Sequence, residues 1–195
     1  QVLVALVTPM TPEGEVDWPA TEKHLDYVIS NGADGVVVTG TTGETSTLTD
    51  AEKLQLVKVG KSVSAGRAKI ITGGGSNETA HAIQLYKASE AAGADGVMIV
   101  TPYYNKPTQA GVLTHFRLIA DATDLPVIMY DIPGRTGIPI AFETILRAAK
   151  HPNIVAVKDA KGDLAQASRV LNETDLLYFS GDDSNILPHI SIGAT

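Results

Sequence analysis

The sequence predicts a (β/α)₈ barrel of the TIM type, of which the 195 residues cover about seven βα units. Short β-branched runs alternate with amphipathic stretches along the whole chain, and no change of composition interrupts the series. The short runs are apolar on both faces, as expected for a parallel sheet that helices cover. A doubly wound sheet would reverse its strand order at a crevice, so the uninterrupted series favours the barrel.

An internal repeat supports the barrel and indicates its period. Residues 31–35, Asn-Gly-Ala-Asp-Gly, lead into a valine run, and residues 92–96, Ala-Gly-Ala-Asp-Gly, lead into a second apolar run. In each copy a helix ends on glycine and a strand begins almost at once. The copies are two units apart, which gives about 30 residues per unit and about 250 for eight units. We therefore expect one barrel domain over residues 1–195, with the eighth strand and a few residues before Gln1 outside this chain.

Seven strands and seven helices are predicted in alternation. The strands are short runs of β-branched and other apolar residues: residues 2–7, 35–39, 69–72, 96–101, 126–130, 154–158 and 176–180. The helices are the amphipathic stretches that follow them: residues 18–31, 50–64, 78–92, 108–122, 141–150, 164–172 and 184–192. Thr49 followed by Glu52 predicts a capping box, and Asp183 can cap the last helix. Asp182 and Asp183 have no histidine or further carboxylate at ligand spacing, so no metal site is expected there.

Composition and charge exclude several classes of protein. The chain is 44% hydrophobic and 19% charged, which is typical of a globular domain. Its longest apolar runs are far shorter than the roughly 18–20 residues of a membrane-spanning helix. A net charge of −7 argues against nucleic-acid binding, which depends on clustered lysine and arginine. We therefore expect a small-molecule substrate. Since cysteine is absent, disulfides and thiolate chemistry are excluded, and we expect the protein in the cytoplasm.

Polar residues at the carboxyl ends of the strands are the catalytic candidates, because barrel enzymes place their chemistry there. Lys158 follows the apolar run 154–157, and strand alternation places it on an apolar face. An amine among apolar side chains has its charged form disfavoured, so its pKa falls and a neutral nucleophile becomes available for a carbonyl. These properties are typical of a Schiff-base lysine. The alternative is a structural ion pair with Asp131, Asp159 or Asp182.

Three further residues are candidates beside Lys158. Tyr130 ends the adjacent strand, where a phenol bonded to the hydroxyl of Thr41 or Tyr104 can accept and donate protons. The alternative is a packed ring whose hydroxyl meets water. Thr41 and Thr42 offer two hydroxyls and exposed backbone N–H groups that can hold a carboxylate, and the alternative is a plain turn.

Five motifs together resemble the dihydrodipicolinate synthases, a family of the pyruvate-dependent class I aldolases, which also include N-acetylneuraminate lyase. They follow the family's order along the whole chain, at residues 40–44, 101–105, 130–136, 157–160 and 180–183. The resemblance implies a lyase of lysine and diaminopimelate biosynthesis. Pyruvate would form an imine with Lys158, the enamine would attack the aldehyde of aspartate-4-semialdehyde, and the adduct would cyclise with loss of the lysine amine. It implies no cofactor besides this imine, no metal, and a cytoplasmic homo-oligomer, dimer or tetramer.

The resemblance also implies a role for each residue of the site. Tyr130 would shuttle protons, with help from Thr41 and from Tyr104 of a neighbouring subunit. Thr41 and Thr42 would hold the pyruvate carboxylate. Gly181 would contribute to substrate binding.

Arg135 would bind the carboxylate of the second substrate, because its forked guanidinium suits bidentate recognition. Neuraminate lyases as a group usually lack this arginine, so its presence favours the synthases. Two alternatives stay open. One is a related pyruvate aldolase that acts on a sugar acid or keto acid, such as N-acetylneuraminate lyase, and the other is a barrel-derived binding protein without turnover.

Overall fold

The computed structural model describes residues 1–73 and 75–195, in two compact units. The first unit comprises Gln1–Gly74 and Gln84–Met98, and the second comprises Gly75–Ile83 and Ile99–Thr195. In both units parallel strands alternate with helices, which is the architecture that the sequence predicts. Among the described residues, no helix is long and apolar enough to cross a membrane.

The first unit is built on the first four strands, of which the fourth ends in the second unit: β1 (Leu3–Ala5), β2 (Gly35–Val38), β3 (Lys69–Thr72) and β4 (Gly96–Val100). Three helices connect them, and the last begins in the second unit: α1 (Trp18–Ser30), α2 (Asp50–Ser64) and α3 (Thr79–Ala91). Parallel pairing joins β1 to β2, β2 to β3 and β3 to β4. All four residues of β2 are buried, as the apolar run predicts for a strand covered on both faces.

The start of α2 confirms the predicted capping box. The Glu52 N–H donates to the Thr49 hydroxyl at 3.3 Å, and the Thr49 N–H donates to the Glu52 carboxylate at 2.7 Å. The Thr49 hydroxyl also donates to the Glu52 carboxylate at 2.7 Å, and this bond, together with the bond from the Thr49 N–H, lowers the pKa of Glu52. Two of the backbone donors that a helix leaves open at its start are thereby satisfied.

The second unit contains the strands that position the candidate site: β5 (Val127–Asp131), β6 (Ile154–Asp159) and β7 (Leu177–Ser180). Its helices are short to medium in length: α4 (Gln109–Ala120), α5 (Pro133–Thr136), α6 (Phe142–Ala148), α7 (Leu164–Glu173) and α8 (Ile186–Ser191). β6 pairs in parallel with both β5 and β7. Directly after β4, the Thr101 N–H donates to the Tyr130 carbonyl at 3.2 Å.

The structure differs from the sequence prediction in its shortest elements. The single turn α5 was not predicted, because four residues that include Pro133 and Gly134 carry no helical periodicity. The predicted last helix divides into a 3₁₀ turn, Asp183–Asn185, and α8. The prediction that Asp183 caps this segment is wrong, because the Asp182 carboxylate accepts the Ser184 N–H at 3.1 Å. The cap lies one residue earlier because the segment opens as a 3₁₀ turn.

Candidate active site

Lys158 is the centre of the candidate site, on β6 one residue before the strand ends. Tyr130 lies opposite it in the β5–β6 pairing, and the lysine Nζ is 4.3 Å from the centroid of the Tyr130 ring. Burial lowers the pKa of Lys158 from its ordinary value of 10.5. No carboxylate within the described ranges forms an ion pair with this amine. The geometry therefore favours a reactive amine over the structural ion pair that was the alternative.

The neighbouring carboxylates have other partners. The Asp131 Oδ2 atom lies 3.2 Å from Lys161 Nζ, and Oδ1 accepts the Ile140 N–H at 3.1 Å. Burial raises the pKa of Asp131, against the opposing effect of Lys161. Strand alternation explains why these carboxylates do not face the lysine amine. Asp131 and Asp159 each follow a residue of the Lys158 face by one position, so their side chains lie on the opposite face. In the part of the chain that the structure describes, no group of three or more histidine or acidic residues could hold a metal ion.

Gly181 lies against the Lys158 side chain, just after β7. A Cβ atom at this position would come within 3.1 Å of Lys158 Cε and equally close to the Ala160 Cβ. The Gly181 N–H also donates to the Asp159 carbonyl at 2.6 Å. A side chain here would press on its neighbours by a few tenths of an ångström, and glycine avoids this contact. Lys158 thus has the Tyr130 ring near its amine and the Gly181 backbone near its Cε.

Tyr104 lies on a strained turn after β4. Its φ is +71°, and the Asn105 N–H donates to the Tyr103 carbonyl at 2.8 Å, which forms a γ-turn of the positive-φ type. Backbone of this kind is uncommon outside glycine and is concentrated at functional sites. The Tyr104 side chain is 87% exposed, so the turn presents its ring to solvent.

Arg135 is exposed on the single-turn helix α5. The turn begins at Pro133 and ends at Gly137, whose φ is +84°. Thr136 stabilises it, because its hydroxyl lies 3.1 Å from the Ile132 carbonyl. The guanidinium of Arg135 has no ion-pair partner within residues 1–73 and 75–195, which leaves it available to an anion.

Thr41 and Thr42 lie in the first unit, in an exposed turn after β2. The turn is closed by the Gly43 N–H, which donates to the Gly40 carbonyl at 3.1 Å. Neither threonine side chain has a hydrogen-bond partner among the described residues. Their hydroxyls are therefore open to a ligand, while their approach to Lys158 stays a prediction.

A buried cluster behind Lys158 was missed by the sequence prediction. Tyr178 on β7 donates its hydroxyl to Asp159 Oδ2 at 2.6 Å, and burial together with this hydrogen bond raises the pKa of Tyr178. The His189 ring stacks on the Tyr178 ring with their centroids 5.7 Å apart. The only local signal was a tyrosine inside an apolar strand run. We call Asp159, Tyr178 and His189 the Asp159 cluster.

Comparison with known proteins identifies the family. The model of the dihydrodipicolinate synthetase family matches residues 1–195. The 4-hydroxy-tetrahydrodipicolinate synthase of Acidothermus cellulolyticus is 52% identical over 194 residues, which are 100% of this chain and 63% of that protein. The enzyme of the same name from Mycolicibacterium paratuberculosis is 49% identical and is covered over 65% of its length. The chain thus spans less than two thirds of these curated relatives.

Solved structures agree with this assignment. Dihydrodipicolinate synthase from Cyanidioschyzon merolae with lysine bound superposes with a TM-score of 0.97 at 46% identity, over 100% of this chain and 67% of that one. A dihydrodipicolinate synthase from Bacillus anthracis gives a TM-score of 0.97 at 43% identity, with the same coverage of both chains. These matches confirm the fold class that the alternating strands and helices predict. On the family match over every residue and the two superpositions, the chain belongs to the dihydrodipicolinate synthetase family.

Proposed function

We propose that this chain catalyses the condensation of pyruvate with aspartate-4-semialdehyde, the reaction of 4-hydroxy-tetrahydrodipicolinate synthase. The observation that carries the proposal is the placement of Lys158, with its amine 4.3 Å from the Tyr130 ring centroid and its pKa lowered by burial. A neutral amine can add to the C2 carbonyl of pyruvate, and loss of water then gives the imine. Membership of the family supports the choice of both substrates.

The remaining steps use the imine as the electron sink. Loss of a proton from C3 of pyruvate gives an enamine, which attacks the aldehyde carbon of the second substrate. The amino group of that substrate then attacks the imine carbon, which closes the ring and releases the amine of Lys158. We assign proton transfer in these steps to Tyr130, and the position of its ring beside the amine supports this assignment. Since every step is an addition, an elimination or a proton transfer, the proposal needs no cofactor or metal.

Each substrate carries a carboxylate that needs hydrogen-bond donors. We assign the pyruvate carboxylate to Thr41 and Thr42, whose hydroxyls lie in an exposed turn. We assign the carboxylate of aspartate-4-semialdehyde to Arg135, which can form two parallel hydrogen bonds to it. Gly181 completes the substrate site beside the Lys158 Cε.

Tyr104 supports a homo-oligomer as the active form, a dimer or a tetramer in the cytoplasm. A tyrosine held at a φ of +71° costs backbone free energy, and such strain is concentrated at functional sites, so a function for this exposed ring would explain the turn. We propose that its phenol joins the proton relay of a neighbouring subunit.

A related pyruvate aldolase such as N-acetylneuraminate lyase is the alternative activity, since it would use the same lysine. Arg135 and the 52% identity to a named synthase favour aspartate-4-semialdehyde as the acceptor. A binding protein without turnover is the other alternative, and it gives no use for a partly buried amine whose pKa is lowered by burial beside the Tyr130 ring.

The test is imine trapping followed by a comparison of acceptors. Full-length protein is treated with pyruvate and borohydride, which reduces an imine to a stable amine, and the modified residue is located by mass spectrometry. We expect labelling at Lys158 alone and none in Lys158→Ala. Turnover should follow with aspartate-4-semialdehyde and not with N-acetylmannosamine. Labelling that survives Lys158→Ala would refute the proposal.

Arg135 offers a second test that separates the two substrates. Arg135→Ala should lower kcat/KM for aspartate-4-semialdehyde about 100-fold, because a charged carboxylate loses its partner. Pyruvate trapping at Lys158 should stay unchanged. An equal loss of trapping would show that the role of Arg135 is assigned wrongly.

A further inference from the structure

We propose that Asp159 is a positioning residue for Lys158, an inference that rests on the proposed imine chemistry. The Asp159 side chain is 1% exposed and lies on the face of β6 opposite to Lys158. Its Oδ1 atom accepts the N–H groups of Lys161 at 2.6 Å and Gly162 at 3.0 Å. Its Oδ2 atom accepts the Tyr178 hydroxyl at 2.6 Å. Three donors therefore hold the residue that directly follows the reactive lysine.

The carboxylate restrains the backbone around Lys158 from two sides. Its bonds to the N–H groups of Lys161 and Gly162 close a turn immediately after β6, and its bond to Tyr178 attaches β6 to β7. The backbone carbonyl of Asp159 accepts the Gly181 N–H at 2.6 Å. Because Gly181 lies against Lys158 Cε, this single residue links the turn, the neighbouring strand and the contact that directs the lysine side chain.

The same turn also reaches the strand that carries Tyr130. Lys161, whose N–H is held by Asp159, places its amine 3.2 Å from the carboxylate of Asp131. Asp131 directly follows Tyr130 on β5 and lies opposite Asp159 in the strand pairing. Both residues proposed to act on pyruvate are thus followed by a buried carboxylate of one connected network.

A role in positioning explains why a carboxylate stands at residue 159, where packing alone does not require one. Burying a carboxylate is costly, and apolar residues of similar volume often replace buried ionic groups without loss of stability. The cluster is also incompletely paired. His189 Nε2 is buried without a hydrogen-bond partner among the described residues, 3.9 Å from Asp159 Oδ2. The Asp159 cluster is therefore costly to bury, and it lies directly next to a reactive lysine in the sequence. We take this as an indication that the cluster fixes the position of the lysine.

The first test compares Asp159→Ala with Asp159→Asn in the full-length protein. Alanine removes all three bonds, so the rate of pyruvate trapping at Lys158 should fall about 10- to 100-fold. Asparagine keeps the acceptor for the two backbone N–H groups and can donate to the Tyr178 oxygen, so its rate should stay within about threefold of the wild type. A folded alanine variant that traps pyruvate within about twofold of the wild-type rate overturns the proposal.

A milder pair of variants covers the outcome in which Asp159→Ala does not fold. Tyr178→Phe removes one bond to Asp159, whereas Tyr86→Phe removes a comparable buried bond, in which the Tyr86 hydroxyl donates to the Met98 carbonyl at 2.8 Å. Both should lower the melting temperature, and Tyr178→Phe should lower it more because its acceptor is a carboxylate. Only Tyr178→Phe should slow trapping at Lys158, by about three- to tenfold. Unchanged trapping in Tyr178→Phe overturns the proposal.

A third measurement needs no substrate and separates this inference from the proposed function. Lys158 is acylated with a small activated ester over a range of pH, and its labelling is compared with that of exposed lysines by mass spectrometry. In the wild type the midpoint should lie below that of the exposed lysines, and in Tyr178→Phe and Asp159→Asn it should move less than in Asp159→Ala. If pyruvate is not trapped but the midpoint moves, the proposed function fails and Asp159 still positions the amine. If the wild type, Asp159→Ala and Tyr178→Phe all trap pyruvate at the same rate and no variant moves the midpoint, the role of Asp159 fails alone.

Discussion

Lys158 has the Tyr130 ring beside its amine and the Gly181 backbone beside its Cε, and these groups replace part of the water around the side chain. Burial disfavours the charged form and lowers the pKa below 10.5, so the unfolded chain binds more protons than the folded chain. The residue therefore costs stability, fully at pH values below its folded pKa. This loss of stability decreases as the pH rises and is zero above the pKa that the lysine has in the unfolded chain. The same placement makes the neutral nucleophile available.

Lys158→Met should therefore stabilise the fold while it removes the activity. At neutral pH we expect the free energy of unfolding to rise by about 1 kcal/mol, with no pyruvate trapping. The gain should shrink as the pH approaches the ordinary value of 10.5. Denaturant titrations at several pH values measure it, with the exposed Lys150→Met as the control. A gain that is the same at neutral and high pH would contradict the account.

Gly181 provides a second prediction at the residue scale. In Gly181→Ala the new Cβ meets Lys158 Cε at 3.1 Å, so the lysine side chain must move and the rate of trapping should fall about tenfold. The matched control is Gly134→Ala, because a Cβ there meets nothing within 4 Å. Trapping kinetics compare the two variants at equal pyruvate. Equal rates would show that the contact with Gly181 does not direct the lysine.

At the scale of elements, the capping box at the start of α2 contributes to the stability of that helix. Thr49→Ala removes the hydroxyl of the capping box of α2, which should lower the free energy of unfolding by about 1 kcal/mol. Thermal unfolding measures this loss. Ser46→Ala, in the exposed turn before the helix, is the control and should change stability little. A similar loss in both variants would mean that the cap contributes nothing specific.

At the scale of the whole molecule, the role of Tyr104 depends on assembly. If its phenol serves a neighbouring subunit, a mixture of Tyr104→Phe and Lys158→Ala subunits contains sites with both native residues. Each variant alone should be nearly inactive, and the mixture should recover about a quarter of the wild-type turnover after random pairing into dimers. Turnover is measured before and after subunit exchange.

The outcome discriminates clearly between two arrangements. Activity that stays at the level of the separate variants would place Tyr104 in its own subunit's site. A mixture of Lys158→Ala with Tyr130→Phe is the control and should recover nothing, because both residues lie on paired strands of one chain.

The sequence by itself determined the strands, the helices and the position of Lys158. Within residues 1–73 and 75–195, the strands and the longer helical segments follow from apolar periodicity, which is a local property of the chain. The cap at Thr49 was predictable for the same reason, since donor and acceptor are three residues apart. Lys158 was predictable as a candidate because a lysine at the end of an apolar strand is visible in the sequence. The turn α5 was too short to leave such a pattern.

Only the tertiary structure decided what surrounds Lys158. The bond between Asp159 and Tyr178 joins residues 19 positions apart, and it depends on the register of β6 and β7. A shift of one residue would turn the whole strand to its other face, so local propensity cannot specify such partners. The same holds for the contact of Gly181 with Lys158 and for the pair of Lys161 with Asp131. Sequence periodicity tells which residues enter the sheet, while packing decides which of them meet.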